Sequence, residues 1–341
     1  MIAAALVALV LGVSHAYDVR PLVSDHGLAA RTHDASLVNA WGLAASPTGP
    51  WWVANEARAS STLYAGNGRK QALTVTVEGG PTGVVYNHGQ GFRVARGGAS
   101  GPARFIYACE DGTIRGWSPV VPHGWSTSAE LAIDEGARGA IFKGVALAGG
   151  RLYATDFHND RVLVFDSKWR RVERRGAFVD RSIPGWYAPF GIQAIGDSIF
   201  VSYAYRAPVN GNDAPTGGYV DEFTLGGRLR SRVGRLGPLH EPWGMTLAPK
   251  TFGHFGGMLL VANFGTGRIA AFERSGSGWA FRGTLPVKVP GVWGIAFGNG
   301  GMAGPKDTLF FAAGPHKWLG STELEVQGLL GTVTARTTAR R

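Results

Sequence analysis

The amino-acid sequence predicts an all-β fold, a six-bladed β-propeller with four-stranded blades, closed by an N-terminal strand in the last blade. Three observations support it: a phrase that recurs six times, a composition suited to short strands and tight turns, and a spare strand at the beginning where the end lacks one. Periods of 40 to 50 residues with several short strands each are typical of propeller blades.

The repeated phrase is a glycine followed by a short apolar run, a turn, a second apolar strand, a polar turn and a third strand. Its copies are 41 to 61 residues apart, and no segment shows the 3.6-residue apolar spacing of helical repeats. We expect the first strands to line the propeller axis, where glycine permits close backbone approach. The marker glycines are Gly42, Gly83, Gly144, Gly191, Gly244 and Gly294.

The composition agrees with many strands joined by turns. The 341 residues include 52 glycines and 18 prolines, and only 17% are charged. Glycine supplies the positive φ that hairpin turns demand. The single cysteine, Cys109, excludes an internal disulfide and any zinc site built from several thiolates. Its place in an apolar strand predicts a small buried hydrophobe.

The chain ends indicate how the ring closes. The sixth blade stops near Thr334 without a fourth strand, whereas 18–24 precedes the first blade and belongs to none. Pairing the two would remove two open sheet edges. In the third blade we predict the fourth strand at 174–179, and in the second we predict a loop or extra hairpin at 87–104.

We divide the chain into a signal peptide at 1–16, one propeller domain at 17–335 and a basic tail at 336–341. The first segment is an apolar run ending in small residues, which predicts a secreted or extracytoplasmic protein. An apolar strand or a membrane anchor is the alternative, although the run is shorter than the about 20 residues that span a bilayer.

The formal net charge is +10, with basic clusters at 168–175, at 228–235 and in the tail. These clusters predict either attraction to an acidic cell-surface polymer or solvated outer strands with edge-protecting charge, and we favour the second. No nucleic-acid-binding motif occurs, so we expect no nucleic-acid partner. We expect a monomer.

Several long phrases are specific enough to compare with a known family: Leu37-Val-Asn-Ala-Trp-Gly, Tyr153-Ala-Thr-Asp-Phe-His-Asn and Val261-Ala-Asn-Phe-Gly-Thr-Gly-Arg-Ile. They resemble a bacterial family of mostly exported, NHL-repeat-like six-bladed propellers, and the resemblance spans about 18–333. It implies the fold and export. No established activity accompanies that family, so the resemblance assigns no site residue.

The candidate site lies on the loops that enter the first strands and leave the second strands, because these loops emerge at the same end of the axis. Function often resides on loops held by a rigid scaffold. The alternative is that the aromatic residues before the glycines pack between blades. The predicted ligand-binding residues are Trp41, Asn55, Tyr187, Phe190, Trp243 and Trp293.

The same loops carry carboxylates and amides, the ligands that calcium takes from scattered positions. Asp156 and Asn263 have an alternative role, since such side chains often bond turn amides. Neither HExxH nor GxSxG is present, and we predict no catalytic residue. The predicted ligands of a possible calcium ion are Glu56, Glu110, Asp156, Glu241 and Asn263.

The sequence thus predicts an extracellular binding or scaffold protein that recognises a small molecule, glycan, peptide or protein through its axial face. The alternative is a divalent-metal-dependent hydrolase of the lactonase or esterase type, by analogy of fold only. Whether the protein is an enzyme stays open at this point, and a structural cell-surface module without a ligand is a third possibility.

Overall fold

The structure, a computed structural model, consists of six antiparallel sheets arranged around a central axis. It describes residues 16–25, 29–207, 213–315, 317–319, 322–324 and 326–336. The six-bladed propeller predicted from the sequence is confirmed. Within these residues, no helix has the length and apolar character needed to cross a bilayer. Most of the predicted signal peptide, 1–15, and most of the basic tail, 337–341, lie outside the described residues.

Each blade is numbered in chain order, and its strands are given from the axis outward. Blade 1 is Ala40–Ala45, Trp51–Asn55, Ser60–Tyr64 and Lys70–Thr76; blade 2 is Pro81–Tyr86, Phe105–Cys109, Thr113–Trp117 and Glu130–Asp134; blade 3 is Phe142–Ala148, Arg151–Asp156 and Arg161–Asp166. Blade 4 is Tyr187–Ile195, Ser198–Arg206, Asp213–Thr224 and Leu229–Arg235; blade 5 is Pro242–Leu247, Leu259–Asn263, Arg268–Ser275 and Gly278–Thr284; blade 6 is Val292–Phe297, Leu309–Ala313, Leu329–Ala335 and Tyr17–Ser24, with Thr32–His33 beside it.

Blade 3 departs from the prediction, because its sheet has three strands rather than four. The predicted strand at 174–179 does not form; beyond the third strand only an isolated bridge joins Phe165 and Arg171. Gly176 and Phe178 take positive φ values of 72° and 59°. Extended strands need negative φ, so this segment turns instead of pairing.

The N-terminal strand closes the ring in blade 6, as the sequence predicts. Tyr17–Ser24 pairs antiparallel with Leu329–Ala335, with Val19 opposite Val333. The Tyr17 hydroxyl also donates to the carbonyl of Phe252 at 3.1 Å, which ties the strand to blade 5. The start and end of the described chain therefore share one sheet, and neither leaves an open edge at the join.

The marker glycines lie where neighbouring innermost strands meet. A Cβ on Gly191 would lie 2.1 Å from the carbonyl oxygen of Trp243, and one on Gly294 would lie 2.6 Å from that of Trp41. Such distances are impossible for a real Cβ, so each blade approaches the next only because the side chain is missing. The contact from Gly294 to Trp41 joins the last blade to the first.

The cores lie between blades. Six clusters of buried apolar side chains fill the six blade–blade interfaces, and a seventh lies on the axis. Second strands such as Phe105–Cys109 are buried along their whole length. Cys109 is fully buried, and burial raises the pKa of its thiol to about 12. The thiol is thus kept neutral, which confirms the predicted packing role.

Two hairpins extend the blades. The segment inserted in blade 2 forms the pair Arg93–Arg96 and Ala99–Pro102, so of the predicted loop or extra hairpin it is the hairpin that forms. A second, short hairpin, Lys317–Leu319 with Thr322–Leu324, follows the second strand of blade 6. Three single-turn 3-10 helices complete the described elements: Glu56–Arg58, Gly136–Arg138 and Gly253–Phe255.

Candidate functional site at the upper end of the axis

We call the end where the innermost strands begin the upper end. There six aromatic rings pack against one another on the axis. Trp293 stacks on Trp41 at 3.6 Å between ring centroids and on Phe264 at 3.8 Å, and Trp243 meets Trp41 edge-on at 5.8 Å. We call this set the aromatic plug; it is formed by Trp41, Phe157, Phe190, Trp243, Phe264 and Trp293.

The predicted ligand-binding residues are all buried. Trp41 is 2% exposed and Trp293 is 0% exposed, and Tyr187 packs against Tyr219 with ring centroids 4.8 Å apart. The amide of Asn55 donates to Thr62 at 3.0 Å inside blade 1. This burial supports the alternative that the rings pack between blades. Direct contact of these six residues with a ligand stays a prediction.

Polar side chains from blades 1, 2 and 3 lie beside the plug. The Asn39 amide donates to Glu56 Oε2 at 2.8 Å, and Lys143 Nζ donates to Glu110 Oε1 at 2.5 Å. The Glu110 carboxylate lies close enough to Glu56 for its negative charge to act on the Glu56 carboxyl group. We call Asn39, Glu56, Glu110 and Lys143 the axial charge cluster.

Lys143 connects the cluster to the plug. Its side chain is only 8% exposed, and Nζ lies 5.1 Å from the ring centroid of Trp41 and 5.9 Å from that of Phe157. Its backbone carbonyl accepts a hydrogen bond from the Trp243 indole at 2.8 Å. The aromatic faces and the Glu110 carboxylate together stabilise an ammonium that has lost most of its water.

Glu56 is the carboxyl group in this cluster whose proton affinity is most changed. Burial raises its pKa above the ordinary value of 4.5, and the negative charge of Glu110 raises it further. The hydrogen bond from Asn39 and the charge of Lys143 act in the opposite direction. Burial and the charge of Glu110 therefore both favour the neutral, protonated form of Glu56.

The structure brings together only two of the predicted calcium ligands, Glu56 and Glu110. Asp156 is fully buried, and its carboxylate accepts from Arg161 at 2.9 Å and from the Asn159 amide nitrogen of the turn at 3.3 Å. Asn263 Oδ1 accepts from the backbone of His240 at 2.9 Å. Both therefore bond loop and turn amides, which was the alternative.

Glu241, the fifth predicted ligand, is 3% exposed on the blade 5 loop. Within the part of the chain that the structure describes, no group of three or more His, Cys, Asp or Glu side chains could hold a metal ion. A divalent cation at Glu110 would also have to displace the ammonium of Lys143. The donor set fits a cation poorly, because the site already contains one.

The chain has relatives in a virus. It is 33% identical to the uncharacterized protein R648 of Acanthamoeba polyphaga mimivirus over 298 residues, which cover 82% of this chain and 73% of that protein. It is 30% identical to the uncharacterized protein L690 of the same virus, over 82% of this chain and 78% of the relative. This chain belongs to the family of R648 and L690. No family model matches the chain.

Membership of the R648 and L690 family corrects the assignment made from the sequence phrases. The bacterial exported family was wrong, since these relatives are mimivirus proteins. The predicted propeller fold is confirmed all the same, because the glycine repeat also predicts it and the sheets of the structure show it.

Solved structures similar to this R648-family chain are propellers. A streptogramin B lyase matches 94% of the chain and 97% of its own length with a TM-score of 0.52 and 12% identity. The PQQ-bound form of an aldose sugar dehydrogenase from Streptomyces coelicolor matches 94% and 98% with a TM-score of 0.54 and 16% identity. At such identities the likeness shows the fold alone, and this fold carries both binding and enzymatic functions.

The sequence places Lys143 and Asn39 on the loops of this face, but neither was predicted as a ligand-binding or metal-ligating residue. Lys143 occupies the position before a marker glycine, where four of the other five blades carry an aromatic residue. A charged residue at a position that is aromatic in most blades is a signal that could have identified it. Asn39 carries a second signal, a positive φ of 47°, which is visible only in the structure.

The lower end of the axis was not predicted as a site. A cavity of about 330 Å³ opens there, bordered by the ends of the innermost strands. A second cavity of about 510 Å³ lies between blades 2 and 3. Three residues line both, Tyr86, His88 and Leu147, so the two cavities adjoin.

Proposed function

We propose that this protein binds a small hydroxylated molecule, a free sugar or the end of a glycan, at the axial charge cluster. The observation that carries the proposal is the pairing of Glu56 and Glu110 on the axis, each fixed by its own donor, Asn39 or Lys143. Glu56 is half-buried, and the Glu110 side chain is still 32% exposed, so the pair is reachable from solvent.

The chemistry of the cluster suits hydroxyl groups. A hydroxyl donates one hydrogen bond and accepts others, and the cluster offers carboxylate acceptors beside ammonium and amide donors. Because the partners are already fixed, little side-chain freedom is lost on binding.

An exposed aromatic ring lies on the same face. Trp186 is 57% exposed and immediately precedes the innermost strand of blade 4, which begins at the upper end. Large aromatic side chains give much contact area at a low entropy cost. Since the plug rings are buried, Trp186 is the ring that would stack on a bound sugar or glycan.

A hydrolase is the second candidate, favoured by one observation, the raised pKa of Glu56 beside Glu110. A protonated carboxyl next to an ionised one can serve as acid and base in bond cleavage. The metal-dependent form predicted from the sequence would need calcium at Glu56 and Glu110, with Lys143 displaced. A PQQ-type cofactor is found in one neighbour of the same fold, and no residue of this chain is assigned to such a group.

Export remains part of the proposal. The apolar segment 1–16 supports a secreted or extracytoplasmic location. The positive charge of the outermost strand of blade 4 is partly neutralised by aspartates of the same chain. Arg230 pairs with Asp197 at 2.7 Å, and Arg232 pairs with Asp180 at 2.5 Å. These ion pairs support solvated outer strands rather than a surface for an acidic polymer.

The test is saturation-transfer NMR of a panel of neutral mono- and disaccharides at millimolar concentration. We expect at least one sugar to receive saturation from the protein. Glu110→Gln should weaken its binding at least tenfold, because the amide has one acceptor oxygen instead of two and no charge to hold the Lys143 ammonium. The matched control is Glu173→Gln, a carboxylate that is 75% exposed on blade 3. A panel without a binder, or equal binding by Glu110→Gln, would overturn the proposal.

A further inference from the structure

We infer that the two adjoining cavities at the lower end form a second binding site, for an uncharged and mostly apolar small molecule that contains a ring. This site is independent of the proposed function at the upper end. The volumes of about 330 and 510 Å³ fall within the range of small-molecule sites, roughly 300 to 1,000 Å³. Tyr86 and His88 lie where the cavities meet.

The lining explains why the ligand is uncharged. None of the described residues that border either cavity is Asp, Glu, Lys or Arg, although the chain carries 58 such residues and a net charge of +10. An ionised ligand would lose its hydration there without gaining an opposite charge. A neutral ligand would bury its apolar surface on small aliphatic residues such as Ala146 and Ala194.

A few groups can orient the ligand. The rings of Tyr86 and His88 meet edge-on with their centroids 4.6 Å apart, so they form an aromatic corner where the cavities join. His88 and Gln193 are exposed, and the hydroxyl of Thr246 lies on the half-buried wall. An apolar pocket with few polar groups is the usual form of a small-molecule site.

One wall of the cleft is fixed by hydrogen bonds. The Asn87 side chain donates to the Ala103 carbonyl at 2.9 Å and accepts from the Gly89 amide at 2.8 Å. Arg104 donates to the Gly89 carbonyl at 2.9 Å. Across the cleft, the Phe92 amide donates to the Ser167 carbonyl of blade 3 at 2.6 Å. A loop held this firmly needs little ordering when a ligand binds.

The opposite wall is backbone. Gly149 and Gly150 form the hairpin turn of blade 3 with positive φ values of 56° and 71°, and no atom lies within 4 Å of where a Cβ on Gly150 would be. A flat ring can therefore approach the peptide planes directly. The insertion in blade 2 and this glycine turn together make a slot beside the axial cavity.

Two fluorescent probes test the inference in the full chain. N-phenyl-1-naphthylamine is a neutral aromatic molecule whose emission rises when it leaves water, and 1-anilinonaphthalene-8-sulfonate is its anionic counterpart. We expect the neutral probe to bind saturably at one site. Leu147→Trp, which enlarges a side chain that borders both cavities and packs on the side of blade 2, should weaken it at least tenfold. The anionic probe should be insensitive to that change, because it would bind only to basic surface.

The matched control is Ala95→Trp, which places the same side chain on the exposed hairpin of blade 2 and should leave neutral-probe binding unchanged. If Leu147→Trp lowers the thermal midpoint by many degrees, His88→Ala replaces it, because His88 is exposed. We then expect a two- to fivefold loss. The inference is overturned by non-saturable binding, by stronger site-specific binding of the anionic probe, or by equal affinity in the cavity variant and its control. Sugar binding at the upper end would be unaffected by any of these results.

Discussion

The two ends of the propeller axis are built from the same six strands and differ in chemistry. At the upper end the rings of the aromatic plug fill the axis, whereas at the lower end small aliphatic residues leave a cavity of about 330 Å³. The strand of blade 1 shows the change within six residues, from buried Trp41 to half-buried Ala44 and Ala45. Side-chain volume along one strand thus decides which end is closed.

The upper end is also uneven around the axis. The residue before the marker glycine is aromatic in blades 1, 4, 5 and 6 but is Thr82 in blade 2 and Lys143 in blade 3. The axial charge cluster lies on this side, with Glu56 from blade 1 and Glu110 from blade 2. The aromatic side chains of blades 1, 4, 5 and 6 therefore form a buried core at the upper end. Blades 2 and 3 lack an aromatic residue at this position, and the polar side chains that could bind a ligand lie on their side.

The largest expected effect is a loss of stability when a ring of the aromatic plug is removed, and it tests whether the plug is core. Trp293→Ala removes a fully buried ring that stacks on Trp41 and Phe264, so we expect a loss of about 3–5 kcal/mol in the free energy of unfolding. Urea denaturation measures it. The control is Trp125→Ala, since Trp125 is 71% exposed and should change stability by less than about 0.5 kcal/mol. Similar small losses in both variants would mean that the plug is not core.

A second, smaller effect concerns the cation on the axis. Lys143→Met keeps an apolar stem among the rings but leaves Glu110 without its partner, and we expect a loss of about 1–3 kcal/mol at pH 8. At pH 5 the loss should shrink, because Glu56, whose pKa is raised, is then closer to its neutral form and repels the unpaired Glu110 less. Urea denaturation at the two pH values, with the exposed Lys168→Met as control, measures the difference. An equal loss at both pH values would contradict the pairing.

The pH dependence of Glu56 gives a third test. Its pKa is raised in the folded state, so its contribution to stability is fully present below the unfolded value near 4.5 and is lost as pH rises through the folded pKa. Glu56→Gln, a neutral mimic of the protonated acid, removes this dependence. We expect the thermal midpoint of the variant to rise relative to the wild type between pH 4 and pH 8. A constant difference across that range would show an ordinary, solvated carboxylate.

The smallest expected effect is that of metal. Because Lys143 already neutralises Glu110, we expect calcium, and then a chelator, to leave the thermal midpoint of the wild-type protein unchanged. Differential scanning fluorimetry measures it, with magnesium as a comparison ion. A thermal midpoint that rises with calcium and falls with the chelator would favour the metal-dependent hydrolase. It would also contradict the role of Lys143 as the cation that neutralises Glu110.

The fold was predictable because its determinants are local and repeated. A glycine before each apolar run gives the innermost strands, and the spare segment before blade 1 gives the closure in blade 6. The fourth strand of blade 3 was predicted wrongly, since the turn at Gly176 and Phe178 depends on backbone angles that composition does not reveal.

The site was predictable only in part. Loop order alone placed Glu56 and Glu110 at the same end, because both follow second strands. The burial of the rings and the pairing of Lys143 depend on distances between blades that the sequence does not contain. The cavities at the lower end depend on how the blade 2 insertion lies against the Gly149–Gly150 turn. The sequence of neither segment predicts that placement.

Sugar binding at the axial charge cluster is tested most directly by a crystal structure of the protein grown with both calcium and the tightest-binding sugar of the panel. We expect sugar hydroxyl groups within hydrogen-bonding distance of Glu110 and Asn39, with Lys143 still paired to Glu110. A calcium ion between Glu56 and Glu110, with Lys143 displaced, would contradict it.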